Sequence, residues 1–305
     1  MSKEYNLIIG SHVSLKAKDF FLGSVKEAIS YNANTFMVYT GAPQNTKRQP
    51  VEQFKIDEAF ELLKANNIDP KNLVVHAPYI INPCSAKNET RKLAADFLIK
   101  EIERTAAMGI KYIVLHPGSA LGQDLETATK QVAYALNNAF KLVDNDVVVC
   151  LETMSGKGSE IGINTAQLKM IIDQIENKDR IGVCLDTCHL HEGGIDLTPA
   201  SFDQYLEDFD QQIGLEYIKV LHINDSKNPI SSHKDRHENL GYGYIGFDAL
   251  IHILYHPKLN HLPKILETPW FDIDDKNSVP IYKYEIEMIK NKQWFDIKKQ
   301  LTNNK

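Results

Sequence analysis

Short apolar runs recur along the chain, each closing on polar side chains and each followed by a longer stretch with helical spacing. Runs at Leu7–Val13, Asn34–Thr40, Leu73–Ala77, Tyr112–Leu115, Val147–Leu151, Ile181–Leu185, Ile218–Ile223 and Lys264–Leu266 read as strands. Between them the spacing predicts helices over Phe20–Tyr31, Val51–Asn66, Glu89–Met108, Leu125–Val143, Thr165–Glu176, Ser201–Ile213 and Phe247–Tyr255, with a last one over Val279–Leu301. These strand–helix units are spaced by roughly 25 to 45 residues, enough for a helix to carry the chain back to a parallel neighbour. Eight such units close into a (β/α)8 TIM barrel of the α/β class. No linker, low-complexity tract or composition shift cuts the chain, so residues 1–305 read as a single domain. An open doubly wound sheet would want a glycine-rich phosphate loop after the first strand, where His12-Val13-Ser14 stands instead.

Barrel enzymes carry their chemistry at the carboxyl ends of the strands. Here the first strand ends at His12, the third at His76, the fourth at His116 and the fifth at Glu152. The sixth ends at Asp186 with His189 close behind, the seventh at His222 and the eighth at Glu267. Asp235 and His237 follow on the loop after the seventh strand, and in an extended segment residues two apart point the same way. Singly, each of these is better read as a satisfied histidine or a helix cap. Six consecutive strands ending in this way are not a series of caps. The nine side chains from His76 onward comprise five imidazoles and four carboxylates. Clustered carboxylates push one another's pKa values up unless cations lie among them. Nitrogen and oxygen donors without an obligate thiolate suit zinc and also accept manganese or iron. Nine donors exceed what one ion takes, and two or three ions sharing a bridging carboxylate fit better.

Other polar residues take blander readings. His191, His252, His256 and His261 read as surface or packing residues, His233 as solvent-exposed, and Cys188 as packing rather than a ligand. The Thr46-Lys47-Arg48 segment reads as a phosphate contact or, nearly as well, a solvated loop.

Composition narrows the class. A chain of 305 residues with 43% hydrophobic residues builds a sizeable core, which excludes disordered and fibrous classes. No apolar run approaches about 18 residues, and Met1-Ser2-Lys3-Glu4-Tyr5 lacks the apolar core of a signal peptide, so a cytoplasmic protein without membrane contact is expected. Cys84, Cys150, Cys184 and Cys188 form no CxxC pair and read as buried reduced thiols. A net charge of -6 argues against a nonspecific nucleic-acid coat, although bound metal adds local positive charge that composition does not record.

Four segments carry a family resemblance that spans nearly the whole chain. GSHVS at Gly10–Ser14, FMVYTGAPQNT at Phe36–Thr46, GVCLDTCH at Gly182–His189, and LHINDSK with DRHENLG between Leu221 and Gly241 resemble the signature segments of the endonuclease IV family of apurinic/apyrimidinic endonucleases. The last two are highly specific together. The resemblance implies three zinc ions per chain on the same nine residues. His76 and His116 would hold one ion, and Glu152 would bridge it to a second held by Asp186, His222 and Glu267. His189, Asp235 and His237 would hold the third, with Glu152 and Glu267 central to catalysis. The implied activity is base-excision repair: a cut in duplex DNA 5′ to abasic sites, leaving a 3′-hydroxyl and a 5′-deoxyribose phosphate, with trimming of blocked 3′ ends. The implied partner is abasic double-stranded DNA, met by a monomer. Tyr79 and Ile80 match the pair that the family wedges into the base stack. Two positions depart from the pattern: Asn45 stands about where some members insert an Arg into DNA, and Ser231 stands where Gly is usual. A metal-dependent sugar isomerase or epimerase on a related barrel is the alternative enzyme, expected to need one or two metals, and a catalytically silent damage binder is the non-enzymatic one.

Overall fold

The computed structural model describes residues 7–274 and 276–303, so the Met1–Tyr5 stretch read for a leader lies outside them. The barrel strands are β1 (Ile9–His12), β2 (Thr35–Tyr39), β3 (Val74–His76), β4 (Tyr112–Leu115), β5 (Val148–Glu152), β6 (Ile181–Asp186), β7 (Ile218–His222) and β8 (Lys264–Leu266). Each pairs in parallel with the next, and β8 closes on β1, the eight-stranded barrel that the sequence pattern predicts. Alternation of side chains along each strand builds two apolar layers. Met37, Val74, Val114, Val148, Cys150, Cys184, Val220 and Ile265 fill the barrel interior. The residues between them, such as Val75, Ile113, Val149, Val183 and Leu221, face outward into a larger core shared with the helices. Burying one such side chain contributes about 1.5–3 kcal/mol, so both layers hold the strand ends firmly. Gly10 has a steric reason: a Cβ there would lie 1.8 Å from the Thr35 carbonyl oxygen, so β1 and β2 approach this closely only without one.

The helices are α1 (Phe20–Ser30), α2 (Ile56–Ala65), α3 (Asn88–Ala107), α4 (Leu125–Leu142), α5 (Thr165–Ile172), α6 (Thr187–Glu192), α7 (Pro199–Gln212), α8 (Phe247–Leu254), α9 (Tyr282–Asn291) and α10 (Ile297–Asn303). Two of the predicted helices are interrupted. The helix expected over 51–66 is broken at Lys55, whose φ of 55° is left-handed; the break turns Phe54 into the core, where it stacks on Phe20 at 5.4 Å. The last predicted helix is two, separated by Lys292 at φ 52°. Val279 instead ends a hairpin with Phe271–Asp274, consistent with the bias that Pro280 imposes on the residue before it. Helix α6 has no counterpart in the predicted pattern. The Asp186 carboxylate caps it, accepting the His189 N–H at 2.8 Å.

Candidate metal centre

Strand alternation carries six of the nine donors. Each stands two residues beyond an interior apolar position: Val74 leads to His76, Val114 to His116, Cys150 to Glu152, Cys184 to Asp186, Val220 to His222 and Ile265 to Glu267. The same rule takes Met37 to Tyr39, which residue type alone does not reveal because a tyrosine looks like any strand residue. Its ring lies 4.9 Å from that of His76 and 5.2 Å from that of His12. Asn224 is also missed by sequence reasoning: its amide donates to Asp186 Oδ2 at 2.8 Å and its carbonyl accepts the Glu267 N–H at 2.9 Å. His189 arrives on α6. Asp235 and His237 return on the loop after β7, through a short antiparallel pairing of Asp225–Ser226 with His237–Glu238. The expectation that Asp235 lies in an extended segment is corrected, since its φ is 56°. A left-handed turn brings its Oδ1 to 3.6 Å from His237 Nε2.

The structure gathers the other eight side chains around Glu152. Its Oε2 lies 3.1 Å from His76 Nε2 and 3.0 Å from His116 Nε2. Its Oε1 lies 2.9 Å from His222 Nδ1 and 3.4 Å from His189 Nδ1. Glu267 Oε2 is 2.9 Å from His222 Nδ1, and Asp235 Oδ1 is 3.0 Å from His189 Nε2. Asp186 Oδ2 closes the ring at 3.9 Å from both His222 Nδ1 and His237 Nε2.

The protons decide what these contacts mean. The Nδ1 of His76 faces the Ala77 carbonyl at 2.7 Å, that of His189 the Thr153 carbonyl at 2.9 Å, and that of His237 the Glu267 carbonyl at 3.2 Å. An Nδ1–H in each therefore donates to backbone, which leaves each Nε2 turned toward carboxylate oxygen. Two acceptors facing one another repel unless a cation or a proton stands between them. His237 Nε2 is buried with no hydrogen-bond partner among the described residues. The donor set thus fits divalent metal. With no cation, protons must balance the charge. Burial pushes the Glu152 carboxyl up, but His222 and His116 hold it well below the ordinary range. Burial lowers His189, yet Asp186, Asp235 and Glu152 hold it well above.

The centre is closed beneath and open above. His76, Glu152, Asp186, His189 and His222 are buried, while His116, Asp235, His237 and Glu267 reach the open side. A cavity of about 400 Å³ lies there, lined by Tyr79, Asn82, His116, Met154, Lys157 and Asp235. Tyr79 is 54% exposed, whereas Ile80 packs against the outer core, so the two do not present equal faces. Asn45 is exposed on the loop after β2, its side-chain carbonyl accepting the Lys47 N–H at 2.9 Å. Arg48 is neither solvated nor free for phosphate: its Nε donates to buried Glu101 at 2.8 Å, and its Nη1 to the carbonyls of Asn45 and Lys47 at 3.0 and 2.9 Å. A larger groove of about 720 Å³ between α3 and α4 gathers no comparable donor cluster, so donor chemistry rather than volume locates the site.

The remaining residues fall where expected. Cys188 is buried, its Sγ 3.7 Å from Glu192, and His233 is exposed with Nδ1 2.6 Å from the Ser155 carbonyl. His191 is buried as packing, and His252 and His256 flank Asp203 on the outer helices. No helix of the described residues is long and apolar enough to cross a membrane.

The barrel has counterparts among known proteins. The xylose isomerase-like TIM barrel family matches residues 25–292. Along 303 residues the chain is 68% identical to the protein named "Probable endonuclease 4" of Ureaplasma urealyticum serovar 10, covering 99% of each. The endonuclease IV structure from Thermus thermophilus superposes with a TM-score of 0.78 at 26% identity, covering 93% of this chain and 97% of that one. A D-tagatose 3-epimerase-like protein shares the fold, with a TM-score of 0.65 at 20% identity and coverage of 93% and 99%. Full-length identity of this order, rather than the widely shared barrel, decides the family: the chain belongs to the endonuclease IV apurinic/apyrimidinic endonucleases.

Proposed function

We propose that the protein cleaves duplex DNA 5′ to abasic sites, leaving a 3′-hydroxyl and a 5′-deoxyribose phosphate, and trims blocked 3′ ends, in base-excision repair. It works as a cytoplasmic monomer with three zinc ions held by His76, His116, Glu152, Asp186, His189, His222, Asp235, His237 and Glu267. The observation that carries the reading is the single Glu152 carboxylate whose two oxygens face different sets of imidazoles at the open rim of an endonuclease IV-type barrel. When bound, zinc acidifies water and neutralises charge on a phosphodiester under attack.

The chain's own residues prepare that chemistry. Backbone carbonyls at Ala77, Thr153 and Glu267 hold the Nδ1 protons of His76, His189 and His237, leaving each Nε2 free to ligate. Asn224 fixes Asp186 against rotation, and the Tyr39 ring orients His76. Lys157, exposed on the cavity wall, offers a cation to backbone phosphate. Tyr79 fills the gap left when the abasic nucleotide turns out of the stack, with Ile80 supporting it from below and Asn45 meeting the DNA beside it.

The test is a duplex carrying one abasic site, end-labelled and incubated with the protein with and without a strong chelator. The expected product ends in a 3′-hydroxyl that a polymerase extends, and chelation abolishes it. No incision, with turnover of a ketose sugar instead, would overturn the reading in favour of an epimerase.

A further inference from the structure

The loop that carries Asp235 lacks any sheet of its own over most of its length, and its backbone is unusual. Ser231, His233 and Asp235 have φ values of 64°, 53° and 56°, so three alternate non-glycine residues are left-handed. Such residues are strained and persist only where their surroundings enforce them. Alternation of this kind turns consecutive backbone N–H groups toward one point, a concavity suited to an anion. The anion here is internal. Glu192, the last residue of α6, is fully buried and its Oε2 accepts the N–H groups of Lys234 and Asp235, both at 2.7 Å. Its Oε1 accepts the Arg236 N–H at 3.3 Å, the Ser226 hydroxyl at 2.7 Å and the Asn228 amide at 3.2 Å. Burial pushes this carboxyl up, but those hydrogen bonds outweigh it and hold it down to about 2.

We propose that Glu192 is a positioning residue for the proposed centre: its carboxylate gathers the N–H groups of residues 234–236 and so presents Asp235 and His237 to the site. Glu192 lies one helical turn after His189, so one short helix supplies a donor to the centre and the anchor for two others. The proposal rests on the metal-dependent reading, and its tests separate the two.

Glu192→Gln keeps size and one acceptor oxygen but turns an NH2 group toward backbone N–H donors. In zinc-loaded protein the variant should bind zinc about 10–100-fold more weakly at one ion, the range seen when groups that orient metal ligands are changed. It should therefore emerge from dialysis about one ion short of the unsubstituted protein, with incision restored by added zinc. Trypsin gives a readout independent of activity, because Lys227, Lys234 and Arg236 lie in or beside the loop. Cleavage there should speed up several-fold. The double variant Glu192→Gln with Asp235→Asn should lose no more zinc than Asp235→Asn alone, since both act on the same ion. Full zinc content, unchanged zinc dependence and unchanged tryptic cleavage in Glu192→Gln would overturn the proposal. If Glu192→Gln does not fold, Ser226→Ala, which removes one donor from the carboxylate, replaces it: unaltered cleavage and zinc affinity would again overturn the assignment. Should the unsubstituted protein bind no zinc and leave abasic DNA intact, the functional reading fails, while the tryptic comparison still decides the role of Glu192 in ordering the loop.

Discussion

Glu285 on α9 sets up an inverted pH dependence. It is fully buried, and its partners are neutral: Thr268 Oγ1 donates at 2.5 Å, the Leu240 N–H at 3.1 Å and the Asn239 amide at 3.3 Å. Burial pushes its carboxyl up to about 7 from an ordinary 4.5, more than these hydrogen bonds pull it down. The folded protein thus keeps this proton up to about pH 7, while the unfolded chain releases it near 4.5. Between those values the folded state binds more protons, so the Glu285 contribution to stability falls as pH rises through the window and levels off above it. At about 1.4 kcal/mol per pH unit, the cost at pH 8 reaches about 3 kcal/mol. Glu285→Gln removes the titration and keeps the contacts, because its carbonyl can accept from Leu240 and Asn239 while its NH2 donates to Thr268 Oγ1. Urea unfolding of both proteins in chelator at pH 5, 6, 7 and 8 measures the difference, in which the shared metal-site histidines cancel. The variant should nearly match the unsubstituted protein at pH 5 and exceed it by up to about 3 kcal/mol at pH 8. A variant that is less stable at every pH, and most so at pH 8, would refute the reasoning and make Glu285 a buried anion on which the fold depends.

Three further outcomes follow from contacts already described. Arg48→Ala leaves Glu101 buried without its cation and should cost about 3–5 kcal/mol in unfolding experiments, part of it recovered by adding Glu101→Gln; unchanged stability would contradict the buried pair. Tyr79→Ala should change stability by less than about 0.5 kcal/mol while weakening abasic-duplex binding and slowing incision, whereas Ile80→Ala should lower the melting temperature as well. Unchanged affinity in Tyr79→Ala would leave both residues as loop packing. Glu152→Gln and Glu267→Gln should each lose turnover by several orders of magnitude in the incision assay with a much smaller loss of DNA binding, and a Glu267→Gln enzyme that cuts at the normal rate would remove Glu267 from the centre.

How much of this was legible in the sequence follows from the reach of each signal. The barrel was legible because each apolar run and each stretch of helical spacing is a local signal, and within those strands the alternation that buries Val74, Val114 and Val220 aims His76, His116 and His222 into the site. The breaks at Lys55 and Lys292 were not, since neither residue is a glycine or proline, the residue types that mark a left-handed turn or a helix end. The loop after β7 hid its geometry for the same reason. Its left-handed residues are Ser, His and Asp, and the carboxylate that gathers the N–H groups of residues 234–236 lies 42 residues away from Lys234. Arg48 looked like a surface cation because its partner Glu101 sits 53 residues further on. Residue type and local spacing reveal the donors; the groups that aim them come from distant segments and carry no local mark.

The most direct test of the proposed centre is elemental analysis of the purified protein after dialysis into metal-free buffer. Nine donors shared through Glu152 should retain about three zinc ions per chain, and strong chelation should remove the metal and the abasic-site incision together. A content near one ion per chain, with incision intact, would contradict the trinuclear centre.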